Sequence, residues 1–206
     1  LPDGTTTIAT FTFTPSPGTN NYIINYNGPV LNEIAAGLGW VELRNPTGTP
    51  FDMAGMAIAT DSSEAPVLLS ATVAANGYLV VTLGDLLNDE NGSVSLLNSS
   101  GQVVDSVAYG FQVPELSIGR NGNDWQLLES VTPDAANAPA AQLGSAASLK
   151  INEWLANPAE DNDWFELYNS GSSPVALAGL YVTDNPSIGG LQQFQFQPLS
   201  FIGAKG

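Results

Sequence analysis

A block of this sequence occurs twice. Leu31-Asn32-Glu33 returns as Ile151-Asn152-Glu153, and Trp40-Val41-Glu42-Leu43-Arg44-Asn45 returns as Trp164-Phe165-Glu166-Leu167-Tyr168-Asn169, the loop between the two strings being four residues longer in the second copy. Pro50, Met53, Ala54, Gly55 and Met56 then match Pro174, Leu177, Ala178, Gly179 and Leu180. Asp61 and Asp184 close the block, and Val73 to Gly77 more faintly matches Ile202 to Gly206. Copies of a repeat face the same folding problem, so what the first copy buries the second is expected to bury too. The second copy reaches only about halfway through the first, giving one and a half modules.

Inside the first copy the rhythm is that of strands. Short runs rich in Val, Ile, Thr, Phe and Tyr are separated by Gly, Pro, Asn and Asp, as in a sandwich or barrel, and no long helical period occurs. The pattern predicts strands over 40–44, 54–59, 67–69, 78–83, 94–97, 103–109, 116–118 and 125–128. Asn76-Gly77, Asn91-Gly92 and Asn121-Gly122 punctuate them with a dipeptide that accepts positive φ. Ahead of the repeat, residues 5–27 predict a β-hairpin: Ile8 to Thr14 alternates, Pro15 to Asn21 reads as a turn, and Tyr22, Ile24 and Tyr26 share a face. Residues 132–148 lose the alternation and gain Ala, Pro and Gly, which predicts a linker.

These strings resemble the lamin-tail domain, an immunoglobulin-like β-sandwich found in nuclear lamins and in secreted or surface-attached bacterial proteins. The features that carry the resemblance are the Asn-Glu dipeptide, Trp-x-Glu-Leu-x-Asn, the Pro-x-x-Leu/Met-Ala-Gly step and Asn-Gly-Tyr-Leu-Val-Val at residues 76–81. Later come Val103 to Tyr109, Leu116-Ser117-Ile118-Gly119-Arg120, Trp125 and Thr132-Pro133. The first copy matches over residues 30–137 and the second over 150–206, while residues 1–27 lie outside the pattern. The organisation this implies is an N-terminal hairpin extension (1–28), a lamin-tail-like sandwich (29–138), a linker (139–149) and a partial second module (150–206). The resemblance also implies an accessory or scaffold role in an extracellular or cell-surface setting, without shared catalytic residues.

Composition narrows the chemistry. Four Lys plus Arg against twenty Asp plus Glu give a net charge of −16, which repels phosphate backbones and anionic headgroups, so neither nucleic-acid binding nor membrane insertion is expected. The absence of His and Cys removes Ser-His-Asp and Cys-His machinery and the usual ligands of zinc. A carboxylate pair could still perform glycosidase-type chemistry, with Glu33 and Glu42, or Glu153 and Glu166, as candidates. Each lies next to strand residues and a turn-forming Asn, which favours a structural role. Asp105, expected on the face of Val103, Val107 and Tyr109, should accept backbone hydrogen bonds.

Two binding chemistries remain. Glu160, Asp161, Asn162 and Asp163 pack four oxygen-bearing side chains into one loop and would suit calcium, although the twelve-residue calcium-loop pattern is missing and no cofactor is required. Asp85, Asp89 and Glu90 form a second, sparser cluster. Trp125, Trp154 and Tyr181 could stack on sugar rings. Trp40 and Trp164 recur in both copies and are expected in the core, and packing is also the favoured reading of Trp154, which stands where the first copy has Ile34.

A half sandwich leaves unpaired backbone groups and an open apolar face. The first expectation is truncation and the second is strand donation, the hairpin of one molecule completing the half sandwich of the next; completion within the chain is the third. The expected function is a non-catalytic structural or interaction module whose partners are other protein chains, itself included through strand addition. The alternative is a polysaccharide-binding accessory module of a secreted polysaccharide-degrading enzyme.

Overall fold

The computed structural model describes residues 26–156, 163–185 and 187–206, so the predicted hairpin at 5–27 lies almost wholly outside the described residues. The chain is nearly all β and sandwich-like. Eleven strands build its first part: β1 (Val30–Ala35), β2 (Trp40–Arg44), β3 (Phe51–Asp52), β4 (Ala57–Thr60), β5 (Val67–Leu68), β6 (Thr72–Val73), β7 (Tyr78–Thr82), β8 (Gly92–Leu97), β9 (Val103–Tyr109), β10 (Ile118–Asn121) and β11 (Asp124–Leu127). Antiparallel pairing arranges them as a five-stranded sheet, β11-β10-β1-β2-β7, a four-stranded sheet, β5-β4-β8-β9, and the short pair β3-β6. The core lies between the larger sheets, with Leu31, Ile34, Val41, Leu43 and Ile118 from one and Ile58, Val94, Leu96 and Tyr109 from the other, all at most 1% exposed.

Seven of the eight strands predicted for this part are present, most with shifted ends, and the one predicted over 116–118 meets β10 only at Ile118. Residues 54–59 begin as a turn, Met56 N donating to Met53 O and Gly55 at φ 84°, so β4 starts only at Ala57. In β9 a register shift opposite Leu96 and Leu97 turns Val103 outward, to 40% exposure, and brings Val104 in; Asp105 therefore does not share a face with Val103.

The decisive local feature is in β1. Leu31 pairs with Leu43, Glu33 with Glu42 and Ile34 with Val41, the register shifting between Leu31 and Glu33. In an unbroken strand Leu31 and Glu33 would share a face. The extra residue, Asn32, puts Leu31 and Ile34 together on the core side and Glu33 beside Glu42 on the opposite side.

That opposite side is covered by a strap, residues 128–141, so the first part of the 132–148 stretch that lost its alternation packs on the first sandwich. Leu128 bridges Ala140, Glu129 N donates to Pro139 O, and Ala141 N donates to Leu127 O at 2.8 Å. Further on, Gly144 N bonds Pro174 O and Ser148 Oγ bonds Asn169 Oδ1. The strand alternation vanishes there because these residues are held through turns and side-chain bonds rather than a continuous ladder.

The strap passes over Gly119, the register partner of Glu33 in β10. A Cβ at Gly119 would lie 2.5 Å from Leu128 Cδ1 and 2.7 Å from Asn137 Nδ2, both strap atoms. Gly119→Ala should therefore push the strap outward and lower stability by about 1–3 kcal/mol in urea unfolding. Gly48→Ala, with nothing within 4 Å of the new methyl, should leave the midpoint unchanged.

The second part contains β12 (Leu149–Leu155), β13 (Trp164–Asn169), β14 (Val175–Ala176), β15 (Tyr181–Val182), β16 (Phe194–Gln195) and β17 (Phe201–Ile202), paired only as β12-β13, β14-β17 and β15-β16. It is bonded to the first part: Phe201 N donates to Phe111 O at 2.7 Å, and Gln112 Nε2 to Leu199 O at 2.6 Å. No helix among the described residues is long and apolar enough to cross a membrane.

Candidate functional site

Glu33 and Glu42 are fully buried. Buried carboxylates survive only when their oxygens are bonded, and here the donors come from strap and neighbouring strand. Glu33 accepts from Ser117 Oγ at 2.5 Å, Thr132 N at 3.0 Å and Thr132 Oγ1 at 2.7 Å. Glu42 accepts from Asn32 Nδ2 at 2.7 Å and Asp134 N at 2.6 Å. Asn137 ties the bulge to the strap, accepting from Asn32 Nδ2 and donating to Asn32 O and Arg120 O. With no solvent-facing oxygen, this pair is unsuited to acid/base work on a substrate and acts as the fastening of the strap.

A second clamp grips the other side of the bulge. Leu31 N donates to Asp105 Oδ2 at 2.8 Å, and Arg120 Nε donates to Leu31 O at 2.6 Å. Arg120 Nη2 meets Asp105 Oδ2 at 2.6 Å, so the ion pair links the two sheets. Asp105 accepts backbone bonds as expected, Ser106 N included. Burial pushes Asp105 up to about 7, against the bonds from Leu31 and Ser106, and pushes Arg120 down to about 10. At neutral pH the guanidinium keeps its proton, and its contact with Asp105 works against the burial that raises the carboxyl.

Burial also pushes the Glu42 carboxyl from 4.5 up to about 7; the bonds from Asn32 and Asp134 oppose the rise, and the charges of Glu33 and Asp134 add to it. The folded protein thus holds this proton more tightly than the unfolded chain. The resulting stability is complete below about pH 4.5 and is lost as pH rises to about 7. Melting temperature should fall across that window, and Glu42→Gln, which carries the neutral form's shape at every pH, should show a shallower fall than the parent chain in parallel thermal scans.

The hairpin β12-β13 repeats the same local construction in an open setting. Ile151 pairs with Leu167, Glu153 with Glu166 and Trp154 with Phe165, the register again shifting between Ile151 and Glu153. Asn152 Nδ2 bonds Glu166 Oε1, as Asn32 does Glu42. The corner that follows also matches. Asn169 Nδ2 donates to Ser173 O and Gly203 O, and Gly171 N to Asn169 Oδ1, where Asn45 Nδ2 donates to Thr49 O and Ala74 O, and Thr47 N to Asn45 Oδ1. What differs is the cover. Among the described residues no strand pairs with the outer edge of β12 or β13, and no donor reaches Glu153.

Consequently Trp154 is 71% exposed, Ile151 61% and Trp164 42%, against the core placement expected for both tryptophans. The reason is the missing neighbours: Ile34, at the matching position, is buried between two sheets. Trp40 is half-buried, on the face of Glu42 rather than in the core. Beneath the hairpin lies an apolar cavity of about 620 Å³, lined by Phe111, Phe165, Leu177, Phe194, Phe196 and Phe201 among others.

The candidate sugar-stacking residues stand on three different strands, Trp125 in β11, Trp154 in β12 and Tyr181 in β15. Trp125 is only 7% exposed, with Arg120 stacked 4.9 Å from its ring centre, so it offers no open face to a sugar; its alternation with Leu127 is the pattern of a core strand. Tyr181 is 41% exposed. Of the calcium candidates, Glu160, Asp161 and Asn162 lie outside the described residues, and only Asp163, exposed, is described. No group of three or more carboxylates suited to a metal occurs among the described residues. Sequence reasoning passed over Asn32, Ser117, Arg120, Thr132, Asp134 and Asn137 as a working set. The available signal was Arg120, one of only four basic residues, set between two strands. No family model matches this chain, and no curated protein matches it.

Proposed function

We propose that this chain is a non-catalytic structural or interaction module of an extracellular or cell-surface protein, an immunoglobulin-like, lamin-tail-like sandwich followed by a partial second unit of the same type. The partial unit receives β-strands from another polypeptide, a like chain included. One observation carries the reading: the bulged hairpin β12-β13 reproduces the register of β1-β2 while, among the described residues, nothing covers its aromatic face or pairs with its outer edges. Open edges beside exposed apolar side chains are the substrate of strand addition. The acidic, histidine- and cysteine-free composition supports a role without catalysis.

A polysaccharide-binding accessory role is the competing reading, favoured by the exposure of Trp154 and Tyr181. It requires glycan binding that Trp154→Ala abolishes; absence of binding across a glycan array removes it.

For the leading reading, amides of β12 and β13 should exchange with deuterium orders of magnitude faster than those of β1 and β2 in the dilute chain. Sedimentation velocity should show association growing from micromolar to millimolar concentration and weakened by Trp154→Lys, which changes an exposed residue and spares the first sandwich. Equal protection of the two hairpins in a chain that stays monomeric throughout overturns it.

A further inference from the structure

The open hairpin carries information about what closes it. In the first sandwich, nearly every group that covers the face of Glu33 and Glu42 comes from one continuous stretch. Ser117 bonds Glu33, Thr132 bonds Glu33 twice, Asp134 N bonds Glu42, and Asn137 bonds Asn32, while Arg120 Nε of the same stretch bonds Leu31 O from the other side of the bulge. Residues 118 and 119 supply the ladder to β1. The acceptor half is present a second time, with Glu153 beside Glu166, Asn152 already bonded to Glu166, and Ile151 before the bulge. The donor strings Ser-Ile-Gly-Arg and Thr-Pro-Asp stand at 117–120 and 132–134, where they serve the first sandwich.

Resting on the strand-acceptor reading above, we infer that β12 is closed by a segment with the chemistry of residues 115–137: a hairpin presenting a hydroxyl and an arginine to the Ile151–Glu153 bulge, followed by a strap that presents a threonine and backbone amides to Glu153 and Glu166. Bare edge pairing between like chains satisfies the backbone of β12 and leaves Glu153 without its donors. A segment of this chemistry satisfies both.

The probe is a fluorescently labelled peptide of residues 115–137 added to the full chain. Saturable binding is expected, read by polarisation, with deuterium-exchange protection appearing over residues 149–155. Glu153→Gln in the chain, at an exposed position, should weaken binding about tenfold, the loss expected when bonds to a charged acceptor become bonds to a neutral one. A peptide carrying Ser117→Ala and Thr132→Ala should weaken it at least as much, and a scrambled peptide should not bind. No saturable binding, binding indifferent to Glu153, or protection of residues 149–155 by a peptide of residues 5–27 instead would overturn the inference. If the peptide fails while Trp154→Lys still abolishes association, the donor chemistry alone falls. If β12 is already protected in the dilute chain, the acceptor reading falls with it.

Discussion

The fold turns on an extra residue. With Asn32 inserted, β1 presents Leu31 and Ile34 to the core and Glu33 to the other side, opposite Glu42. Two carboxylates side by side in a sheet repel, and burying them without donors would cost several kcal/mol. The chain meets this with Ser117, Asn32, Thr132 and the amide of Asp134. The strap is therefore a consequence of the bulge. Without the bulge Glu33 would turn to the core side with Leu31, and the strap would lose the carboxylate that Thr132 bonds.

The strands and turns of the first sandwich were legible because they follow local rules. The β-branched and aromatic run of Tyr78 to Thr82, the Asn76-Gly77 turn with Asn76 at φ 55°, and the alternating buried positions of β8 are written in adjacent residues. The bulge was not, since Leu31-Asn32-Glu33 reads as a plain strand start and only pairing with β2 shows the slip. The strap was misread as a linker for a related reason: its bonds join residues about a hundred positions apart, such as Thr132 with Glu33 and Asn137 with Asn32. Composition reports missing alternation and is blind to partners so remote.

The tryptophans mark the same limit from the other side. Trp154 and Trp164 occupy the positions of Ile34 and Trp40, so repeat logic expects them inside. Burial, however, belongs to the assembled sheets and not to the strand that carries the residue. The corner at Asn169 forms because its partners, Ser173 and Gly203, lie within the same stretch of chain. The hairpin's cover, which in the first sandwich comes from β7, β10 and the strap, has no counterpart among the described residues. Local structure thus repeats faithfully while tertiary closure does not.

An open hairpin in so acidic a chain is also constrained in whom it meets. Exposed Trp154 and Ile151 favour any apolar contact, which taken alone would promote indiscriminate pairing of edges. A net charge of −16 opposes the approach of identical chains, and the repulsion acts over roughly a Debye length of 8–10 Å at ordinary salt. Glu153, an exposed carboxylate in β12, adds a local penalty to any partner that would bury it without offering a donor. Apolar surface supplies the attraction, and the carboxylates decide which strands can use it. The same pair of glutamates that fastens the strap of the first sandwich would then act as the selectivity element of the second.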